Sequence, residues 1–419
     1  MAETHARVHE AAGIPAGAGP GILQEAARGL MLRALSRLRR GCLDLHLPGG
    51  VRTYGDPASS LRGVVHVHDP RTFRKGLLGG EVGLGEAYVE GWWSSPDPVA
   101  VVRVAVRNMT CFDRGPLAWA GRLLGRLRHR RRDNDRAGAR ANIAAHYDLG
   151  NAFYRLWLDP TLAYSSAWFE RTSTSLDEAQ EAKYRMICRK LDLGPADHLL
   201  EIGTGWGGFA IHAARHHGCR VTTTTISREQ FAEARARIAE AGLADRVTVV
   251  LEDYRDLQGR FTKAVSIEMF EAVGLAHYDA YFGTVDRLLA PGGRFLMQTI
   301  TMNEPHFETY RRGVDFIQQH VFPGSELASL LEIHRSLARA TGLAVTGLED
   351  MGLHYARTLQ LWRERFHARL EEARALGFDA RFQRFWDYYL ASCEGAFRER
   401  HVSVVQLLVE KADPDGTHP

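Results

Sequence analysis

The sequence predicts an α/β protein: a mostly parallel, doubly wound sheet fills the later two thirds of the chain, and a small α+β domain precedes it. Two observations carry this. From residue 141 onward, short runs rich in β-branched residues alternate with amphipathic helical stretches, as right-handed βαβ units require. Before residue 120 the pattern differs, with alternating apolar residues between Pro/Gly turns and helical stretches on either side. The expected division is an N-terminal α+β domain over residues 1–120, a basic linker over 121–140 and an α/β domain over 141–419. A chain of 419 residues with 45% hydrophobic and 25% charged residues can build such cores without disulfide or metal staples.

Residues 1–20 are Ala/Gly-rich and read as a loose tail. Ile22, Leu23, Ala26, Ala27, Leu30, Met31, Ala34, Leu35 and Leu38 then form an i, i+4 stripe, with Arg28, Arg33, Arg37, Arg39 and Arg40 elsewhere on the same helix. Such a basic amphipathic helix either covers its own domain's core or lies on an anionic membrane surface. Residues 42–78 read as short strands (Leu43, Leu45, Leu47; Val64, Val65, Val67), and residues 85–93 and 99–107 as helices. After the linker, strands are expected at 198–202, 220–225, 247–251, 263–267 and 293–299, with helices at 206–217, 228–241 and 278–289.

Lys and Arg total 53 against 50 acids, so the net charge of +3 assigns no partner by itself. Its distribution is uneven: residues 121–140 hold eight Arg against two Asp. Such a run is either a solvated face or an attraction for phospholipid headgroups, worth about 1 kcal/mol per well-placed residue at an anionic surface. No aromatics interleave with these arginines, which argues against nucleic acid. The cysteines, Cys42, Cys111, Cys188, Cys219 and Cys393, are odd in number and never in a C-x-x-C pair. They disfavour a disulfide scaffold or a structural zinc site and suit a reducing cytoplasm. No apolar run approaches the ~18 residues of a membrane span, and the start lacks the basic and apolar regions of a secretory signal.

Leu199-Leu-Glu-Ile-Gly-Thr-Gly-Trp-Gly-Gly208 puts glycines between the first strand of the sheet and its helix, where a tight turn lets a ligand touch backbone. Gly203, Gly205 and Gly208 satisfy G-x-G-x-x-G, a match that NAD-binding folds share. Glu201 just before the turn would repel a pyrophosphate and receive a cationic amino acid. The second strand ends Thr223-Thr-Thr-Ile-Ser227, without the acid that a dinucleotide ribose wants. S-adenosylmethionine therefore fits better than NAD, and an NAD-dependent oxidoreductase is the disfavoured alternative. Ser227 and Gln230 form an S-x-x-Q capping box that can serve a ligand as well. Tyr254 follows the third strand, where it could stack on an adenine. Leu289-Ala-Pro-Gly-Gly-Arg294 reads as turn chemistry alone.

The ordered motifs Gly85-Glu-Ala-Tyr-Val-Glu-Gly-Trp-Trp93, His146-Tyr-Asp-Leu-Gly-Asn151, Tyr164-Ser-Ser-Ala-Trp168, Glu201-Ile-Gly-Thr-Gly-Trp-Gly-Gly208, Ser266-Ile-Glu-Met-Phe-Glu-Ala-Val-Gly274 and Tyr388-Tyr-Leu-Ala-Ser-Cys-Glu-Gly-Ala-Phe397 make the chain recognisable. It resembles the cyclopropane-fatty-acyl-phospholipid synthases, Rossmann-like class I S-adenosylmethionine-dependent methyltransferases related to the mycolic acid cyclopropane synthases. The resemblance covers nearly everything after residue 40. It implies a cofactor held by Tyr164, Ser165, Glu201, Gly203, Gly205, Trp206, Gly207, Thr225, Ile226, Gln230, Tyr254 and Arg255. It also implies a reaction centre at Ser166, Glu271, Gln298, Ile300, Tyr355 and Cys393, cradling a bicarbonate ion as base. Two positions depart from the family, which usually has Cys at Ser166 and His at Gln298; Gln cannot titrate.

Read this way, the substrate is the cis double bond of an unsaturated phospholipid acyl chain, methylated and closed to a cyclopropane. A hydride shift before proton loss would instead leave a methylene branch. Glu271, in the apolar run Met269-Phe-Glu-Ala-Val273, reads from spacing alone first as a structural carboxylate capping a neighbouring helix; the resemblance makes it the leading candidate for base or bicarbonate holder. Aromatic faces such as Tyr164, Trp168 and Tyr355 could steady a passing carbocation. Cys393 by default is a core thiol, and His146 and the stretch 153–157 read as packing or tunnel wall. The expected setting is the cytoplasm, with the first domain and the Arg-rich linker docked on the anionic inner face of the membrane. The resemblance allows a homodimer, and a methylene-branched product would call for a reductase partner.

Overall fold

The computed structural model describes residues 21–109 and 149–413. The tail, the Arg-rich linker with the boundaries drawn around it, Cys111 and His146 lie outside the described residues. The first segment comprises helix α1 (Ile22–Leu35), strands β1 (Cys42–Leu47), β2 (Gly50–Gly55) and β3 (Arg62–Val67), helix α2 (Arg71–Val89), the short strand β4 (Trp93–Ser94) and helix α3 (Pro98–Arg107). Its sheet has the order β2-β1-β3-β4, with β1 and β3 parallel.

The second segment opens with a single turn, α4 (Asn151–Tyr154), and helix α5 (Leu176–Leu191). Then come β5 (His198–Ile202), α6 (Gly208–His217), β6 (Arg220–Thr225), α7 (Arg228–Glu240), β7 (Val247–Leu251), β8 (Phe261–Ile267), α8 (Tyr278–Leu288) and β9 (Leu289–Met302). The chain ends in α9 (Glu304–Tyr310), α10 (Leu330–Ala340), β10 (Ala344–Asp350), α11 (Gly352–Ala368), α12 (Leu370–Ala375), α13 (Ala380–Arg398) and β11 (Val402–Glu410). These strands build one sheet in the order β10-β11-β9-β8-β5-β6-β7. It is parallel from β7 to β9, and β11 runs antiparallel between β9 and β10. The expected doubly wound fold is thus present, with helices on both faces and a core on each side.

Four local expectations change. Residues 71–78 are helix rather than strand, because Asp69 accepts the Arg71 amide at 2.8 Å and Pro70 opens α2; the Gly79-Gly80 pair, which reads as a turn, becomes a kink inside that helix with Gly80 at φ +55°. The helix expected from residue 206 starts at Gly208, since Gly203, Gly205 and Gly207 all take positive φ. The capping box is half formed. Ser227 Oγ accepts the Gln230 amide at 3.2 Å, but Gln230 Oε1 accepts the Thr225 hydroxyl at 2.8 Å instead of closing the box. The stripe of α1 is split: Ala27 and Leu35 are buried, whereas Leu23 is 77% and Leu30 46% exposed.

The turn at 289–294 survives as a bulge inside β9, which pairs with β8 through Leu289 and again from Arg294. Phe153, Tyr154 and Trp157 are fully buried among Trp362, Phe366 and Trp386, so that stretch is core. The same core reaches Tyr88 and Trp93 of the first segment, so the small sheet packs on the C-terminal helices. Cys188 meets His212 and His217, with ligand atoms within 4.8 Å of one another; burial pushes this thiol up to about 12.

Candidate active site

Sheet topology selects the place. The chain leaves β5 for β6 and β7 on one side and returns to β8 on the other, so a crevice opens at the carboxyl ends of β5 and β8. Both sequence-selected carboxylates stand there: Glu201 in the last turn of β5 and Glu271 in the short 3₁₀ turn after β8. A cavity of about 1820 Å³ runs from this crevice to the small sheet, where Leu45, Val65, Val67 and Phe73 line it. That exceeds the roughly 300–1,000 Å³ of a small-molecule pocket, so it holds room for more than one cofactor.

At the β5 end, Glu201 is 2% exposed and accepts the Thr223 hydroxyl at 2.6 Å. Burial pushes its carboxyl up to about 8, only partly opposed by Thr223, so it favours a cationic partner. The glycine turn leaves backbone bare beside it: Gly203 has φ +104°, and a Cβ there would meet the Met269 side chain at 3.1 Å. Of the twelve residues expected around a cofactor, eleven line the cavity; Gly207 instead packs against Ala234. Arg255 gives its guanidinium to Asp253 in two bonds of 2.8 and 2.7 Å. Trp206 is fixed by its Nε1, which donates to Asn151 Oδ1 at 2.8 Å.

At the β8 end, a second carboxylate changes the picture. Glu268, at the end of β8, lines the cavity, whereas Ser166 and Gln298 do not. The Ser166 amide donates to Glu268 Oε1 at 2.8 Å, Gln298 Nε2 donates to the same oxygen at 2.7 Å, and the Tyr355 hydroxyl bonds the same carboxylate. Gln298 is oriented from behind, its Oε1 accepting Gln406 Nε2 at 2.9 Å. Three of the residues expected to cradle an anion are thus gathered around Glu268.

Glu271 is held apart. Its Oε1 accepts the Ile300 amide at 2.5 Å and the Thr299 hydroxyl at 3.1 Å, while its buried Oε2 has no partner among the described residues. Burial, reinforced by the charge of Glu268, pushes it up to about 8. Burial holds Glu268 above the ordinary carboxylate range as well, although Gln298, Ser166, Lys183 and Tyr355 all oppose it. Cys393 and Tyr389 line the same cavity, and burial drives the Cys393 thiol far above its ordinary range. Tyr164 and Tyr355 turn their rings toward Trp362 at 5.4 and 5.9 Å. Trp168 lies off the cavity, stacked on His354 at 4.1 Å.

The family model of mycolic acid cyclopropane synthetase matches residues 134–407, spanning both the glycine turn and the carboxylate pair. The chain belongs to the mycolic acid cyclopropane synthetase family. Within it, the chain is 38% identical to the tuberculostearic acid methyltransferase of Mycobacterium tuberculosis over 342 residues, 80% of each chain. It is 36% identical to the cyclopropane-fatty-acyl-phospholipid synthase of Escherichia coli over 374 residues, 88% of this chain and 92% of that one. A solved mycolic acid cyclopropane synthase complexed with SAH and CTAB superposes with a TM-score of 0.61 at 35% identity, covering 65% of this chain and 98% of that one. The cyclopropane synthetase family is therefore shared along the catalytic segment and, with the Escherichia coli relative, through most of the first segment too.

Sequence reading missed two residues of this family member. Glu268 sits in the quoted run Ser266-Ile-Glu-Met-Phe-Glu271, and the two carboxylates spaced by three after a strand were the available signal. Lys183 gave none, since a lysine in a helical stretch reads as surface. In the structure it is fully buried, its Nζ donating to Ser165 Oγ at 2.7 Å. Desolvation lowers it to about 8 against the pull of Glu268 and Asp159.

Proposed function

We propose that this chain transfers the methyl group of S-adenosylmethionine to the cis double bond of an unsaturated phospholipid acyl chain, and that proton loss then closes a cyclopropane. The observation that carries this reading is the single cavity that joins an ammonium-seeking carboxylate and a bare glycine turn to a long apolar slot. The residues fit the cofactor: Glu201 would take its amino-acid end, the backbone at Gly203 and Gly205 its close approach, and Thr225, Gln230 and Tyr254 its nucleoside. When bound, S-adenosylmethionine supplies an electrophilic methyl group and departs as a neutral thioether. The chain's own residues orient the olefin, exclude water that would trap the carbocation, and offer Tyr164, Tyr355 and Tyr389 as electron-rich faces, worth about 2 kcal/mol each when desolvated.

The slot also supports a lipid substrate presented from a membrane. No helix of the described residues is long and apolar enough to cross a bilayer. In the first segment the cavity is lined by the exposed Arg33, Arg37 and Arg74 and by Leu30 and Leu78, which are 46% and 56% exposed. Basic side chains and exposed leucines suit an anionic headgroup layer, with the acyl chain entering between them. This makes the first segment the membrane-docking domain and the chain a peripheral enzyme of the cytoplasmic face.

A second reading keeps cofactor and substrate but ends in a methylene branch. It is favoured by Gln298 and Ser166, which serve Glu268 instead of the slot, and by the likeness to a tuberculostearic acid methyltransferase. A product of that kind would need a reductase partner. Purified full-length chain, vesicles of oleoyl phosphatidylglycerol and a donor carrying a carbon-13 methyl group test both. We expect the label in a new ring or methylene carbon of the acyl chain, resolved by NMR of the fatty esters. No label in lipid, or preferential binding of NAD, would contradict the proposal.

A further inference from the structure

We propose that Glu268 is the built-in base of this site: its carboxylate fills the place of a captured anion and removes the proton from the newly transferred methyl carbon. The inference rests on the methyl-transfer reading above and concerns only the fate of the proton.

Four observations carry it. The two amide N–H groups of Ser166 and Gln298 fall on the same oxygen, Oε1, and the Tyr355 hydroxyl bonds the carboxylate as well. A bound anion at this spot would need those same donors, and all three are already engaged. Glu268 lines the cavity whereas Ser166 and Gln298 do not, so of these three it is the Glu268 carboxylate that faces the slot. Its backbone has φ +51°, a left-handed conformation that is strained for a non-glycine residue. Side chains persist in such strain only where the surroundings over-determine them, and functional sites are where they collect.

Glu271 is the poorer base. Its Oε1 already accepts the Ile300 amide and the Thr299 hydroxyl, and with its carboxyl pushed up to about 8 it is mostly protonated at neutral pH. Two neighbouring buried carboxylates cannot both ionise, and the one with more donors and a nearby ammonium stays charged. Lys183, fully buried with its Nζ on Ser165 Oγ at 2.7 Å, adds a positive charge that favours the Glu268 anion.

The step balances without another reagent. The π pair of the olefin makes the new bond to the methyl carbon as the bond from that carbon to the donor's sulfur breaks, its pair staying on sulfur, and the other olefin carbon is left electron-poor. One C–H bond of the new methyl group then breaks. Its electron pair closes the ring onto the electron-poor carbon or, after a hydride shift, forms the methylene double bond. The proton passes to Glu268, which becomes a neutral acid and is discharged to water when the product leaves.

Two substitutions test this in the full-length chain. Glu268→Gln keeps the shape and removes the base, and turnover should fall about 100-fold or more. Glu268→Gly relieves the left-handed strain, so it should fold, and it opens a gap beside the Ser166 amide, Gln298 and Tyr355. It should be equally slow in bicarbonate-free buffer and regain rate with added bicarbonate or formate. Carbon-13 bicarbonate should broaden in NMR with Glu268→Gly and not with the unaltered protein, whose rate should not depend on bicarbonate. Full activity of either variant without added anion, or a bicarbonate-dependent unaltered enzyme, would overturn the proposal. If the unaltered chain moves no label into lipid, the methyl-transfer reading itself fails, a separate result.

Discussion

Glu201→Gln is expected to weaken binding of S-adenosylmethionine about 10- to 100-fold, the worth of one charge-assisted hydrogen bond of about 1.5–3 kcal/mol. Among the described residues the carboxylate has a single hydrogen-bonding side chain, Thr223, and its strand lies between β6 and β8. Burial holds it near 8 in the ligand-free chain, so at neutral pH most molecules carry it protonated. A cationic ligand beside it restores the charged form, and the proton leaves on binding. Affinity should therefore rise as pH is raised from 6 toward 8, where Glu201 ionises by itself. Calorimetry of S-adenosylhomocysteine in two buffers of different ionisation enthalpy reads that proton directly. With Glu201→Gln both the proton release and the pH dependence should vanish. Unchanged affinity in the variant would remove Glu201 from the cofactor site.

Asp387→Asn is expected to cost about 3–5 kcal/mol of folding stability, because it breaks a buried charged cluster while leaving its partners in place. Asp387 in α13 is 7% exposed. Its carboxylate accepts the Tyr88 hydroxyl, Arg363 Nε and His367 Nε2, each at 2.6 Å. Tyr88 comes from α2, so the cluster fastens the first segment to the C-terminal helices. Burial pushes this carboxyl up, but the His367 bond and the Arg363 charge prevail and hold it at about 2. A depressed carboxyl contributes stability that is complete above its unfolded value near 3.8 and is lost as pH falls toward 2. Urea unfolding at neutral pH should show the deficit, and the gap between the two proteins should close on acidification through that window. Tyr88→Phe removes one neutral donor and should cost only about 1 kcal/mol. Equal midpoints for the two variants would show that the cluster does not hold the segments together.

The parallel strands were legible because β-branched runs such as Arg220–Thr225 and Val247–Leu251 have no competing helical period. The place of Glu201 beside the glycine turn was legible for a similar reason, since it follows from its neighbours in sequence. The helix over residues 71–78 was not, because a Gly-Gly pair that signals a turn in isolation is absorbed as a kink where Gly76 and Gly83 let the two halves pack closely. Glu268 was hidden by distance. Its meaning depends on Ser166, 102 residues away, and Gln298, 30 residues away, converging on one oxygen. The departures at Ser166 and Gln298 were visible as oddities; their compensation appears only when the strands are placed side by side.

The proposed reaction adds a methyl carbon to an acyl chain and then takes a proton from that same carbon. Incubating the purified chain with unsaturated phospholipid vesicles and a donor bearing a trideuterated methyl group measures this most directly. Mass spectrometry and NMR of the fatty esters should find the added carbon holding two deuteriums, in a ring or a methylene group alike. An added carbon that keeps all three, or an acyl chain with no deuterium, would contradict the account.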